Sequence, residues 1–152
     1  MGLRSALVSF LVIATVSACG PGRPPGDQGA AARIATVVEG GAGSSLDMAA
    51  AAPFEWDRFC AFPPYTTAEA AGGTLGFEWP HAWSAVDLRD DRAYLVFVRE
   101  GRVVSAFDYD RSRGDFAALG PQCFERERAR FVVAERGVST TGAPWLELHP
   151  AP

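Results

Sequence analysis

From residue 54 onward, apolar and polar positions alternate with the spacings of short strands broken by turn residues. The run Phe54-Glu55-Trp56-Asp57-Arg58-Phe59-Cys60-Ala61-Phe62 reads as a first strand, with Phe54, Trp56, Cys60 and Phe62 on one face, and Pro63-Pro64 ends it. Thr66-Thr67-Ala68-Glu69 has the spacing of a capping box, with Thr66 as N-cap, and Gly72-Gly73 supplies the stop of a helix of about two turns. Two β-rich runs, Ala93–Arg99 and Arg102–Asp108, flank Glu100-Gly101 and predict a tight hairpin. Because Leu95, Val96, Phe97 and Val98 are consecutive apolar residues, both faces of that strand should be covered, which suits a central position. A second pair is expected from Ala129–Ala134 and Trp145–Leu148, separated by Gly137 to Gly142. Strands joined without long helical crossovers predict an α+β domain over residues 53–152, an antiparallel sheet of about four to six strands with a short helix.

The N-terminal third has a different pattern. Arg4 precedes the apolar run Ala6–Val16, and small residues follow, the order of a secretory signal over residues 1–18. At about 1.5 Å per residue that run covers roughly 16 Å, half of a hydrocarbon core of about 30 Å, so it is too short for a permanent membrane span. Val16-Ser17-Ala18-Cys19 resembles the lipobox of bacterial lipoproteins. The resemblance implies a diacylglyceryl group on the Cys19 thiol and cleavage between Ala18 and Cys19; the alternative is an ordinary secretory signal that leaves Cys19 for a disulfide. Residues 19–52, rich in Gly, Pro and Ala, are expected to form a disordered, flexible tether with a mean reach of roughly 30 Å. Within it, Arg33–Glu39 could be a strand, a partner-binding segment or a transiently ordered linker.

Composition narrows the function classes. The formal net charge is −4, all 14 basic residues are Arg, and no basic stripe is present, which argues against nucleic-acid binding because phosphate neutralisation needs clustered cations. Of the 3 cysteines, Cys60 and Cys123 remain once Cys19 is lipidated. An even remainder in an exported chain reads as a Cys60–Cys123 disulfide; two buried thiols or a metal or redox pair are the alternatives.

Several segments carry candidate chemistry. His81 lies in Trp79-Pro80-His81-Ala82-Trp83-Ser84-Ala85-Val86-Asp87, so that Trp79, His81 and Trp83 could contact a ligand, the tryptophans could instead fill the core, and His81 with Asp87 or Ser84 could serve a hydrolase. No Gly-x-Ser-x-Gly elbow accompanies that set. Asp108–Asp115 resembles the start of a calcium loop, but its glycine is one place late and Leu119 stands where the closing Glu is needed, so a polar turn held by Asp and Arg is expected. The tripeptide Arg113-Gly114-Asp115 is short enough to arise by chance. Glu125–Arg130 alternates in sign and reads as a solvated face, and His149 as a solvated residue. No catalytic set, metal or cofactor is expected.

Phe54-x-Trp56-Asp57, Pro63-Pro64-Tyr65-Thr66 and Leu75-Gly76 together resemble small, functionally uncharacterised bacterial lipoproteins, a family that brings no active residue with it. The expectation is a lipid-anchored extracytoplasmic envelope protein, held on the outer membrane if the organism has two, acting as a non-catalytic module that binds an envelope protein or a cell-wall component. The rival expectation is an anchored or secreted hydrolase built on His81.

Overall fold

The computed structural model describes residues 28–79 and 89–152. Along the chain they form α1 (Gln28–Val38), β1 (Ser45–Asp47), α2 (Met48–Ala51), β2 (Arg58–Phe62), α3 (Ala68–Leu75), β3 (Arg92–Arg99), β4 (Arg102–Asp110), β5 (Gln122–Glu125), β6 (Arg130–Val138) and β7 (Pro144–Pro150). The α+β class holds, with two antiparallel sheets in place of the single one expected: a four-stranded sheet in the order β4-β3-β2-β5 and a three-stranded sheet in the order β1-β6-β7.

The hairpin follows its turn chemistry. Glu100 and Gly101 have φ of 49° and 71°, the paired positive values of the turn whose twist matches two antiparallel strands. β3 then lies inside its sheet, as its consecutive apolar residues demand. Leu95 and Phe97 enter one core, and Tyr94, Val96 and Val98 enter another on the opposite face. The first core joins the two sheets to α1. Phe59 of β2 packs on Phe97 and Phe131, and Phe116 packs on Phe131 and Tyr109, all with ring centroids 5.3–6.2 Å apart. The second core lies between the four-stranded sheet and α3, which contributes Ala71 and Leu75.

Three expectations are corrected here. The first strand begins at Arg58, not Phe54, and Phe54 and Trp56 side with Phe59 in the first core while Cys60 and Phe62 face α3. β2 is an interior strand covered on both faces, so its side chains carry no one-sided alternation. The N-cap of α3 is Thr67, whose hydroxyl accepts from the Ala70 amide, because the Thr66 hydroxyl is already donated to the Pro63 carbonyl. The helix also runs through Gly72-Gly73 and stops at Gly76, whose φ of 81° is the left-handed C-cap that glycine adopts without strain.

The largest correction concerns the tether. Residues 28–52 belong to the fold: Ala30, Ile34 and Val38 of α1, Leu46 of β1 and Met48 of α2 are buried in the first core. Alanine loses no side-chain entropy in a helix, so an Ala-rich stretch with Ile34 and Val38 one turn apart needs few apolar atoms to dock. Arg33–Glu39 is accordingly helical as far as Val38 rather than a transiently ordered linker, and the Arg33 Nε donates to the Ala51 carbonyl at 2.6 Å, tying α1 to α2. Residues 1–27, including Cys19, lie outside the described residues.

Gly114 is the point where α1 meets the far end of the chain. Its φ is 134°, and a Cβ there would stand 2.9 Å from Val38 Cγ2 and 3.2 Å from Leu148 Cδ2. Substitution Gly114→Ala combines that overlap with a backbone conformation closed to L side chains. It should lower the unfolding free energy by about 2 kcal/mol, read from urea denaturation.

Candidate functional site

The polar groups that the structure buries serve the fold. Asp115 is 2% exposed and takes a bidentate pair of bonds from Arg111 at 2.9 and 2.8 Å, one from the Trp145 indole at 3.1 Å and one from the Ala117 amide at 2.8 Å. The carboxylate beside it holds the Arg111 guanidinium above its ordinary pKa. Asp110 accepts from the amide and hydroxyl of Ser112. The segment resembling a calcium loop is therefore a polar turn whose carboxylates are bonded to Arg and Ser, and Asp115 of the Arg113-Gly114-Asp115 tripeptide faces inward. Among the described residues, no group of three or more His, Cys, Asp or Glu could hold a metal ion.

Tyr109 donates its hydroxyl to the Arg113 carbonyl at 2.8 Å, and burial pushes its pKa well above the usual value. A raised folded pKa favours the neutral phenol in the native state. The stability tied to it is fully present below the ordinary tyrosine pKa of about 10 and is lost as pH rises beyond that. The alkaline fall in stability should thus be shallower in Tyr109→Phe than in the parent chain, measured by denaturation from pH 9 to 12.

The other singled-out residues fall in three places. Cys60 and Cys123 are bridged, directly opposite one another across β2 and β5 with Cα atoms 4.0 Å apart. His149 is half-buried and pairs with Glu147 at 3.1 Å instead of standing free in solvent. In the alternating segment, Glu125, Glu127, Arg128 and Arg130 are exposed, while Arg126 leaves the solvated face to stack 4.5 Å over Trp56 and donate to the Phe54 carbonyl. His81, Trp83, Ser84 and Asp87 lie outside the described residues, so of the proposed ligand contacts only Trp79 can be placed. It stacks on Tyr94 of β3 with centroids 5.8 Å apart.

Trp79 also borders a groove of about 670 Å³ along α3, a feature the sequence reading did not anticipate. Ala68, Gly72 and Gly76, four residues apart, give α3 a stripe with almost no side chains, and Phe77 and Glu78 follow the helix along the same groove. The position of α3 is well anchored. Arg58 donates to the Leu75 carbonyl at 3.0 Å, the Cys123 sulfur lies 3.7 Å from the Thr74 carbonyl, and Leu75 is buried under the helix.

The glycines of this helix are not imposed by packing. A Cβ on Gly73 would meet nothing within 4 Å, and one on Gly72 would sit in ordinary contact, 3.5 Å from the Phe77 carbonyl. Each interior glycine costs a helix about 1 kcal/mol against alanine, so two in eight residues keep the groove floor bare at the expense of the helix. Glu69 and Glu78 on its rim are exposed, and neither forms an ion pair among the described residues. The only sequence signal for this arrangement was the spacing Ala68-x3-Gly72-x3-Gly76. Comparison with protein-family models, curated proteins and solved structures found no match to this chain.

Proposed function

We propose that this chain is a lipid-anchored extracytoplasmic protein of the bacterial envelope, and that its folded part is a non-catalytic binding module that holds an envelope protein or a cell-wall component in the groove beside α3. The observation that carries the binding role is that groove: apolar, sized for several side chains, and floored by glycines that the packing does not require. The buried polar side chains Asp115 and Tyr109 are bonded within the fold, away from it. Support for the location comes from the Cys60–Cys123 bridge, which suits an oxidising compartment. No helix among the described residues is long and apolar enough to cross a membrane. Anchoring would rest on Cys19, where two or more acyl chains, at about 0.8 kcal/mol per buried CH₂, hold far better than one short chain.

Three measurements test this reading. Cys19→Ala should abolish acyl labelling, and globomycin, which blocks lipoprotein signal peptidase, should make the uncleaved precursor accumulate; unchanged labelling and processing would remove the anchor. For the binding role, partners crosslinked to the parent protein in membranes should be lost with Gly73→Leu, which fills the groove floor without touching the core. Retention of every partner by that variant would remove the groove from the proposal.

A further inference from the structure

We infer that the groove beside α3 takes a peptide segment carrying a lysine or arginine side chain next to apolar neighbours; this rests on the groove being the binding site proposed above. The argument starts from charge. Several arginines of the domain are engaged, Arg58 with the Leu75 carbonyl, Arg111 with Asp115, Arg126 with Trp56, Arg130 with Asp47 and Arg136 with Glu147, while Arg113 and Arg128 are exposed. Glu69, on the first turn of α3, and Glu78, beyond its C-cap, have no such counter-ion among the described residues. Both carboxylates are exposed and border apolar surface, so a cation carried on an apolar stem can meet the charge and the surface together.

Shape points the same way. A lysine or arginine combines an aliphatic stem with a cationic head, and such a side chain lays its methylenes on apolar surface while its charge reaches a polar rim. The bare backbone at Gly72, Gly73 and Gly76 allows that stem to lie flat against the helix, with the Phe77 ring beside it and the head at Glu69 or Glu78. A volume of about 670 Å³ has room for the flanking apolar residues as well. The same carboxylates repel phosphate, which disfavours anionic lipid headgroups, nucleic acids and wall polymers rich in phosphate.

The test uses the full mature protein in neutral detergent micelles, with empty micelles as the blank. Three short acetylated peptides serve as probes: Leu-Lys-Leu-Lys-Leu, the same peptide with Glu for Lys, and the same with Gln. Backbone amide shifts report the site. The basic peptide should move the amides of Gly72, Gly73 and Gly76, and the other two should not. Combining Glu69→Gln with Glu78→Gln should weaken the basic peptide by about tenfold or more and remove most of its salt dependence. Gly73→Leu should abolish binding with no loss of melting temperature, since leucine is the better helix former and a Cβ at this position meets nothing within 4 Å. Equal binding of the acidic or neutral peptide, shifts confined to another surface, or unchanged binding to the glutamine variant would each overturn the inference. If membrane partners are lost with Gly73→Leu and yet the basic peptide does not bind, the groove stands and the ligand class falls. If the partners are retained, the groove itself fails.

Discussion

Replacing Cys60 and Cys123 together by alanine should lower the unfolding free energy by about 3–4 kcal/mol, the chain-entropy value for opening a loop of this length. The bridge joins residues 63 apart in sequence. What it holds is the most weakly supported strand of the larger sheet. β5 is only four residues long and lies at the sheet edge, with β2 as its one hydrogen-bonded neighbour. Phe124 of β5 nonetheless completes the first core, 5.0 Å from Phe131 and 6.5 Å from Phe59, and α3 rests on the sulfur of Cys123. Without the bridge, β5 should detach before the rest unfolds. Amide exchange should rise first at Gln122–Glu125, then in α3, and last in β3. Urea denaturation with and without a reducing dithiol measures the effect: the reduced parent chain should match the double variant, and a difference below about 1 kcal/mol between oxidised and reduced chains would show that the bridge constrains nothing.

Where the fold was legible, local chemistry and a two-sided pattern coincided. Glu100-Gly101 can form only a few turns, and the four apolar residues Leu95–Val98 leave no face for water, so hairpin and central position could both be read. The disulfide followed from counting, because two cysteines remain to pair once Cys19 is set aside as the expected lipidation site. Illegible features depended on contacts far apart in the chain. α1 is a weakly apolar helix among glycines, and its place becomes evident only with Gly114, Phe131 and Leu148, contributed by the other end of the chain. β1 is three residues long, and nothing in Ser45-Leu46-Asp47 announces its pairing with β6, so one sheet was expected where there are two. The cap of α3 was misplaced by one residue because two threonines compete and the outcome is set by the Pro63 carbonyl. The groove was the least legible of all. The Ala68, Gly72 and Gly76 spacing can be read from the chain, but whether that stripe faces the sheet or solvent depends on which side of α3 Leu75 buries, and this is decided by the second face of β2 and β3.

Removal of the Asp115 carboxylate should be as damaging as loss of the disulfide, for a different reason. Asp115→Ala takes the counter-ion from the Arg111 guanidinium, 24% exposed and left with the Asp90 carbonyl as its acceptor, and removes the acceptor of the Trp145 indole at the junction where the turn after β4 meets β7. The backbone there is already committed: the Asp115 amide donates to Leu146 and its carbonyl accepts from Leu148, a parallel bridge that extends the smaller sheet. The side chain orients that bridge by holding Arg111 on one side and Trp145 on the other, with the Arg111 guanidinium 5.6 Å from the Trp145 ring. Truncating one partner of a buried pair strands the other charge, and about 3–4 kcal/mol of destabilisation is expected in urea. The cost is mainly that of the unpaired cation rather than the worth of the pair, so a second change should relieve it. Arg111→Met combined with Asp115→Leu, apolar groups of similar bulk, should recover at least half of the loss, leaving the Trp145 N–H, the Ala117 amide and the Asp90 carbonyl to find water. A double variant as unstable as Asp115→Ala alone would mean that the bonds to Trp145 and Ala117, not the ion pair, hold the turn against β7.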